Sequence, residues 1–267
     1  MHKICIINLI IDVKIGGEMF FMQYYGATDI GMQRKENQDR IYLSDESDDI
    51  KLFIVADGMG GANAGGVASS MAIEYVKKSI IEKFEEVKED RDLLLDLIRD
   101  SIVGANKYIY DESKQNSEYA GMGTTIVVAI VYKNKVFIGH VGDSRIYRIR
   151  KHIIRQLTKD HSYVQVLVQN GTITKEEAEN HPQKNMLVKA LGCEENVEPD
   201  VMVKGFLKDD ILLMCTDGLT NMIRVSEIFE EIMAGRENLE NICNNLISHS
   251  KKNGGYDNIS VILIFND

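Results

Sequence analysis

Thr124-Thr125-Ile126-Val127-Val128-Ala129-Ile130-Val131-Tyr132 is rich in β-branched residues, Lys133-Asn134-Lys135 breaks it, and Val136 to Val141 resumes an apolar run. Two such runs separated by a short polar break read as a β-hairpin. Working outward, Lys51 to Ala56 (KLFIVA) is a short apolar run ending in Asp57-Gly58. Ile211 to Thr216 (ILLMCT) ends in Asp217-Gly218, and Ile259 to Phe265 (ISVILIF) is the last apolar run of the chain. These runs are continuous rather than alternating, which suits strands buried on both faces. A sandwich covered by helices provides such an environment.

Helical periodicity separates these groups. Met71, Ala72, Tyr75, Val76 and Ile80 keep the stripe of an amphipathic helix, and Leu94, Leu97, Ile98, Ile102, Ala105 and Ile109 keep another. Leu239, Ile242, Cys243, Leu246 and Ile247 form a third, stopped by Asn253-Gly254-Gly255, so Cys243 reads as core. Helices placed between strand groups argue for mixed α and β layers, an α+β fold. Residues 161–190 are polar with short apolar runs and read as a mobile flap.

The chain has 267 residues with 44% hydrophobic content, enough for a substantial core and too apolar for a disordered chain. Lys and Arg number 31 against 41 Asp and Glu, for a net charge of −10. That balance offers no basic footprint for nucleic acid or an anionic membrane. Cys5, Cys193, Cys215 and Cys243 form no C-x-x-C pair, which points to reduced thiols and a cytoplasmic location. No linker or repeat divides the chain, and its only prolines are Pro182 and Pro199. One domain is expected from residue 22 to 267, acting as a monomer. Residues 1–21 are set apart: Ile4 to Ile11 (ICIINLII) is far shorter than the ~20 residues of a membrane span and lacks a signal-peptide cleavage site. Two readings remain for this segment, an extra edge strand or a translated leader with the start at Met19 or Met22.

The chemistry lies in acidic residues at strand ends. Asp57 and Asp217 each follow an apolar run, whereas Asp39 and Asp257 each precede one. In an antiparallel sheet the C-terminal end of one strand lies beside the N-terminal end of its neighbour, so four carboxylates can meet at one edge. Taken singly, Asp-Gly and Asp-Asn are ordinary turn dipeptides. Together they repel: two carboxylates ~5 Å apart do so by about 3 kcal/mol at an effective dielectric near 20. A cluster needs cations or raised pKa values, and hard oxygen ligands favour magnesium or manganese over zinc. The Gly-rich stretch Gly58 to Gly66 (GMGGANAGG) lacks the spacing of a nucleotide-binding loop, and close backbone approach to a metal before a helix accounts for it better.

Seven segments stand in one order: Arg34-Lys35-Glu36-Asn37-Gln38-Asp39, Val55-Ala56-Asp57-Gly58-Met59-Gly60-Gly61, Gly123-Thr124-Thr125, His140-Val141-Gly142-Asp143-Ser144-Arg145, Leu157-Thr158-Lys159-Asp160-His161-Ser162, Cys215-Thr216-Asp217-Gly218-Leu219 and Asp257-Asn258-Ile259-Ser260. In this order they resemble the protein phosphatase 2C family of metal-dependent serine/threonine protein phosphatases, in its compact bacterial form. The resemblance spans about residues 23–265. It implies a four-layer αββα sandwich, two antiparallel sheets face to face with helix pairs outside. It further implies that Asp57 bridges two manganese or magnesium ions, that the Gly58 carbonyl binds one, and that Asp217 and Asp257 hold the other. Asp39 would act through metal-bound water, Asp143 with Asp217 would carry a third, weaker ion, and Arg34 would grip the substrate phosphate.

Elementary chemistry supports these roles. Phosphate monoesters hydrolyse extremely slowly, and a pair of metals ~3.5–4 Å apart both activates a bridging water and stabilises in-line displacement. Arg34 offers planar, bidentate donors that a lysine lacks, although outside the motif it reads as a solvated charge. Where some family members carry a His after Asp-Gly this chain has Met59, so the general acid is open among His140, His161 and metal-bound water. The expected partners are phosphoproteins, including a serine/threonine kinase and its substrates. A pseudophosphatase that binds phosphoprotein without turnover and a small-molecule phosphatase are the alternatives.

Overall fold

Lys133 and Asn134 both take positive φ, 44° and 56°, and this reverses the chain between Ile126–Tyr132 and Lys135–Val141. Two such residues match the right-handed twist of the flanking strands, so the hairpin read from the sequence forms. In the computed structural model of the protein, residues 9–15, 18–45, 48, 50–61, 64–236 and 238–267 are described. Among them the elements run β1 (Leu9–Ile15), β2 (Glu18–Asp29), β3 (Asp39–Leu43), β4 (Lys51–Met59), α1 (Ala64–Val87), α2 (Arg91–Gln115) and β5 (Gly123–Thr124). The hairpin strands are β6 (Ile126–Tyr132) and β7 (Lys135–Val141), followed by β8 (Arg145–Arg150), β9 (Ile153–Gln156), α3 (Tyr163–Gln169) and α4 (Lys175–Glu179). The last third adds β10 (Asp200–Gly205), β11 (Ile211–Cys215), α5 (Asp217–Thr220), α6 (Val225–Ala234), α7 (Leu239–Lys252) and β12 (Ile259–Asn266).

The strands form two antiparallel sheets. One has the order β1-β2-β12-β11-β8-β9, and the other β10-β7-β6-β4-β3 with β5 paired to β4. The two inner faces meet over Tyr24, Phe53, Val127, Ile138, Met214 and Ile262. Outside the second sheet, α1 and α2 pack Ala72, Val76, Ile80, Ile98 and Ile102 onto Leu52, Ile54 and Val128. Outside the first, Leu219, Ile228, Ile232, Cys243 and Leu246 of α5, α6 and α7 cover Leu213 and Leu263. Three apolar interfaces therefore separate four layers, the α+β sandwich expected from the sequence. The continuous apolar runs follow from this: β4, β6, β11 and β12 are each covered on both faces.

Some details differ from the sequence reading. The buried stripe of α1 is Ala68, Ala72, Val76, Ile80 and Phe84, whereas Tyr75 is 39% exposed and stacks on Tyr108 of α2 at 5.9 Å. Tyr75 thus sits at the border of the helix pair rather than beneath it. Asp57 does not follow β4 but lies within it, because Gly58 and Met59 continue the ladder opposite Thr124 and Gly123. The apolar run Ile4 to Ile11 begins outside the described residues; its last part enters β1, which pairs with β2 from Leu9 opposite Tyr24 to Ile15 opposite Glu18. Residues 161–190 form α3 and α4 with a short bridge between Ser162 and Leu187.

Phe53 is fully buried between the sheets, with its ring edge-on to Tyr24 at 5.0 Å. Phe53→Ala is expected to lower unfolding free energy by about 3–5 kcal/mol, the range for large cavities in a tight core. Urea denaturation measures it, and a loss below about 1 kcal/mol would mean that the two sheets are not close-packed there.

Candidate active site

The two sheets bring their acidic residues together in pairs. Within the second sheet Asp39 opens β3 and is the register partner of Asp57 in β4. Within the first, β11 pairs with β12 up to Cys215 opposite Val261, which places Asp217 and Asp257 beside each other just beyond the ladder. The sandwich then lays one pair over the other. Thr216 Oγ1 and Ser260 Oγ, both from the first sheet, donate to Asp39 Oδ2 of the second at 2.9 and 2.7 Å. Asp143 arrives on the turn that carries the chain from β7 in one sheet to β8 in the other.

Backbone spacing at this end leaves no room for side chains at two glycines. A Cβ on Gly58 would lie 2.1 Å from the Gly65 carbonyl oxygen at the start of α1, and one on Gly218 would lie 1.9 Å from the Asn258 oxygen. Glycine at both points lets α1 and the loop before β12 close on the acidic residues. Within the Gly-rich stretch, Gly58 and Gly65 thus serve a close approach of backbone to backbone, a contact the sequence reading did not foresee.

Arg34, Asp57, Gly58, Asp143, Asp217 and Asp257 line one cavity of about 680 Å3. Its far wall includes Asn185, Lys189, Cys193 and Glu198. Asp39 lies beneath, only 1% exposed. The seven residues picked from the sequence for metal and phosphate roles, Arg34, Asp39, Asp57, Gly58, Asp143, Asp217 and Asp257, thus converge. Arg34 donates from Nη2 to Asp257 Oδ2 at 2.7 Å, so in this state its guanidinium neutralises one carboxylate. Its pKa is raised because that bond and the charges of Asp257, Asp57 and Asp217 outweigh partial burial.

One arginine does not balance the cluster. Desolvation pushes Asp39 up to about 7, against the hydrogen bonds from Ser260 and Thr216, and repulsion from Asp217 and Asp257 adds to it. Desolvation and the charge of Asp257 raise Asp217 to about 6. Asp57 is pushed well above the usual carboxylate range by desolvation, then by Asp39 and Asp217. Asp143 is likewise raised by desolvation and by Asp217 and Asp160, with Arg145 opposing. Asp39 Oδ1 and Asp217 Oδ1 are buried and have no hydrogen-bond donor among the described residues. Unsatisfied buried oxygens in an uncompensated carboxylate cluster fit hard divalent cations, for which the donors here are all oxygens.

Two hydroxyls and an amide carried no role in the sequence reading although they stand within its motifs. Thr216 and Ser260 hold Asp39, and Asn258 holds the loop that bears Arg34. Asn258 Oδ1 accepts from the Gln38 amide at 2.8 Å, and its Nδ2 donates to the Ile30 and Glu36 carbonyls at 2.9 Å each. Polar residues at strand starts were the available signal, but nothing in their spacing tells that their partners lie in the other sheet or a distant loop. His140 and His161 do not line the cavity.

The sequence pattern described as protein phosphatase 2C matches residues 32–245. The serine/threonine phosphatase stp of Listeria monocytogenes is 41% identical over 240 residues, which are 90% of this chain and 94% of that protein. Among solved structures, the Streptococcus agalactiae serine/threonine phosphatase superposes with a TM-score of 0.84 at 38% identity, covering 92% of this chain and 100% of that one. The catalytic domain of the phosphatase PstP, solved in complex with two manganese ions, superposes with a TM-score of 0.79 at 29% identity, covering 92% and 98%. With an acidic cavity at the end of two antiparallel sheets, the chain belongs to the protein phosphatase 2C family. It is a metal-dependent protein phosphatase.

The raised carboxylates set a pH dependence. Folded Asp39 and Asp217 keep protons, with pKa values of about 7 and about 6, that the unfolded chain releases near 3.8. Between those values the native state binds more protons, so stability falls as pH rises. The metal-free protein is expected to lose thermal stability between about pH 4 and pH 7, and saturating manganese should remove most of that slope. Melting curves in chelator and in manganese test this; a metal-free protein that gains stability over that range contradicts the assigned cluster.

Proposed function

We propose that the chain hydrolyses phosphoserine and phosphothreonine in proteins, opposing a serine/threonine kinase. The observation that carries this reading is the convergence of uncompensated carboxylates from both sheets on one cavity that also presents Arg34. Asp57, the Gly58 carbonyl, Asp217 and Asp257 would hold two manganese or magnesium ions, Asp39 would act on them through water, and Asp143 with Asp217 would hold a weaker third. Such ions, when bound, neutralise phosphate charge and generate a nucleophile from water at neutral pH.

The chain's own residues do the rest. Arg34 stands at the cavity mouth with a planar pair of N–H donors that suits two phosphate oxygens. Its present partner, Asp257, is one of the proposed ligands, so a cation there would compete for that carboxylate and free the guanidinium for phosphate. Asn258 keeps the Arg34 loop in reach through its three backbone bonds. The far wall supplies Asn185, Lys189 and Glu198, polar groups able to meet a peptide that flanks the phosphate. His161 makes a poor general acid: desolvation, then His140, lowers its pKa to about 4, so it is neutral at working pH, and it is not among the residues that line the cavity.

Asp57→Asn and Asp217→Asn each delete one negative ligand at constant volume. Either is expected to lower phosphopeptide kcat by at least about 100-fold with the fold retained, as read by steady-state kinetics and circular dichroism. Near-normal turnover of both at saturating manganese contradicts the ligand assignment.

Arg34→Ala should raise KM for a phosphothreonine peptide by about tenfold or more while manganese affinity changes little, since the charge-assisted contact is to phosphate. Unchanged kinetics with collapsed manganese affinity would place Arg34 in the metal shell instead. Asp143→Ala should slow turnover without loss of melting temperature; lower stability with turnover per folded molecule preserved would show a structural turn carboxylate.

A further inference from the structure

His140 in β7 and Asp200 in β10 are register partners at the edge of the second sheet, and His161, two residues before α3, packs against both. The imidazoles of His140 and His161 stack with centroids 4.8 Å apart and planes 10° from parallel. His161 Nε2 lies 3.4 Å from Asp200 Oδ1. One ligand atom from each of the three residues lies within 4.8 Å of the other two.

Their tautomers follow from their partners. The Lys159 carbonyl only accepts, so His140 Nε2 carries the proton and donates to it at 2.9 Å. His140 Nδ1 is left with a bare lone pair, fully buried and without a hydrogen-bond partner among the described residues. The Gly142 amide only donates, so His161 Nδ1 accepts from it at 3.2 Å and the ring proton sits on Nε2. That N–H is buried and faces Asp200 Oδ1 at 3.4 Å without meeting hydrogen-bond geometry to any described residue, and His161 is 8% exposed. One bare imidazole lone pair and one weakly engaged ring N–H therefore stand beside a carboxylate.

We propose that His140 Nδ1, His161 Nε2 and an Asp200 carboxylate oxygen form a binding site for a borderline divalent ion of the zinc and cobalt type, separate from the acidic cavity. Imidazole nitrogens suit such ions, whereas magnesium and manganese favour the oxygens of the other site. Two His and one carboxylate leave a fourth, open position for water, a common arrangement for zinc. The bond from His140 Nε2 to the Lys159 carbonyl is the kind of outer contact that orients a ligating imidazole. Asp200 brings the negative charge that two neutral imidazoles lack.

Binding reorganises the site in a definite way. The His161 proton moves through solvent from Nε2 to Nδ1, with no net gain or loss, and the Gly142 amide loses its acceptor. The stacked rings must also tilt apart to aim both lone pairs at one ion. Gly142 adjoins Asp143, and His161 opens the segment 161–190, so the ion would couple the sheet edge to both.

The test is a cobalt titration of the full chain in saturating magnesium, followed by visible absorption and then by zinc displacement. One cobalt ion should bind with the intense bands of a four-coordinate site and be displaced by zinc but not by magnesium. Asp200→Asn lies on a half-buried edge strand and should fold normally; it should weaken cobalt binding by at least about tenfold. His161→Gln should abolish the bands, while Asp217→Asn should leave them intact. Weak six-coordinate absorption alone, unchanged affinity in Asp200→Asn, or loss of the bands in Asp217→Asn would each overturn the proposal.

Discussion

Thr216 and Ser260 reach out of one sheet to hydrogen-bond a carboxylate of the other, and the rest of the site depends on that contact. Asp39 Oδ2 takes both hydroxyls, so its position is fixed by β11 and β12 although its backbone belongs to β3. The bond is made inside the protein, where a carboxylate without donors would be expensive. It holds the pair Asp39 and Asp57 over the pair Asp217 and Asp257. Without it, repulsion would favour separation of the sheets at this end, since the charges of Asp217 and Asp257 add to desolvation in raising the proton affinity of Asp39 and Asp57.

A second set of contacts aims the remaining groups. Asn258, next to Asp257, ties the loop 30–38 to the start of β12, so Arg34 is held near the carboxylates by three backbone hydrogen bonds rather than by its own charge alone. On the other flank, Arg145 pairs with Asp160 through Nε and Nη2, the latter at 2.6 Å from Oδ2. That guanidinium eases the burial of Asp143, two residues away. Thr125 completes the floor: its hydroxyl accepts from the Asp57 amide at 3.0 Å and meets Ser144 Oγ at 2.8 Å, linking β4 to the turn that carries Asp143. Close packing of the α1 start and of the loop before β12, permitted by Gly58 and Gly218, encloses the whole arrangement.

Charge explains why this end of the sandwich is built from polar bonds while its middle is apolar. A cluster of buried carboxylates cannot also be a hydrophobic core, because each charge needs hydrogen-bond donors, protons or cations to offset its burial. Stability is therefore carried by the three apolar interfaces, which extend from the helix layers through both sheets. The site is placed toward the sheet ends, beyond the three apolar interfaces.

Much of this was legible in the residues. Continuous apolar runs such as Ile211–Thr216 and Ile259–Phe265 announced strands covered on both faces, and the stripe Leu94, Leu97, Ile98, Ile102, Ala105 and Ile109 is wholly buried in α2. The α1 stripe was displaced, since Tyr75 satisfies helical spacing yet lies at the border between two helices, a distinction that periodicity does not contain. The acidic residues could be chosen from their places at strand ends and from ordered motifs. Which oxygens are left unsatisfied, that Arg34 rests on Asp257, and that Thr216 and Ser260 clamp Asp39 depend on contacts between residues 177 to 223 positions apart. By itself the sequence determined the elements and the kinds of chemical group at their ends, because local propensity and burial are written in neighbouring residues. Only the tertiary structure decided how the two sheets align, and that alignment turns separate turn carboxylates into one charged site.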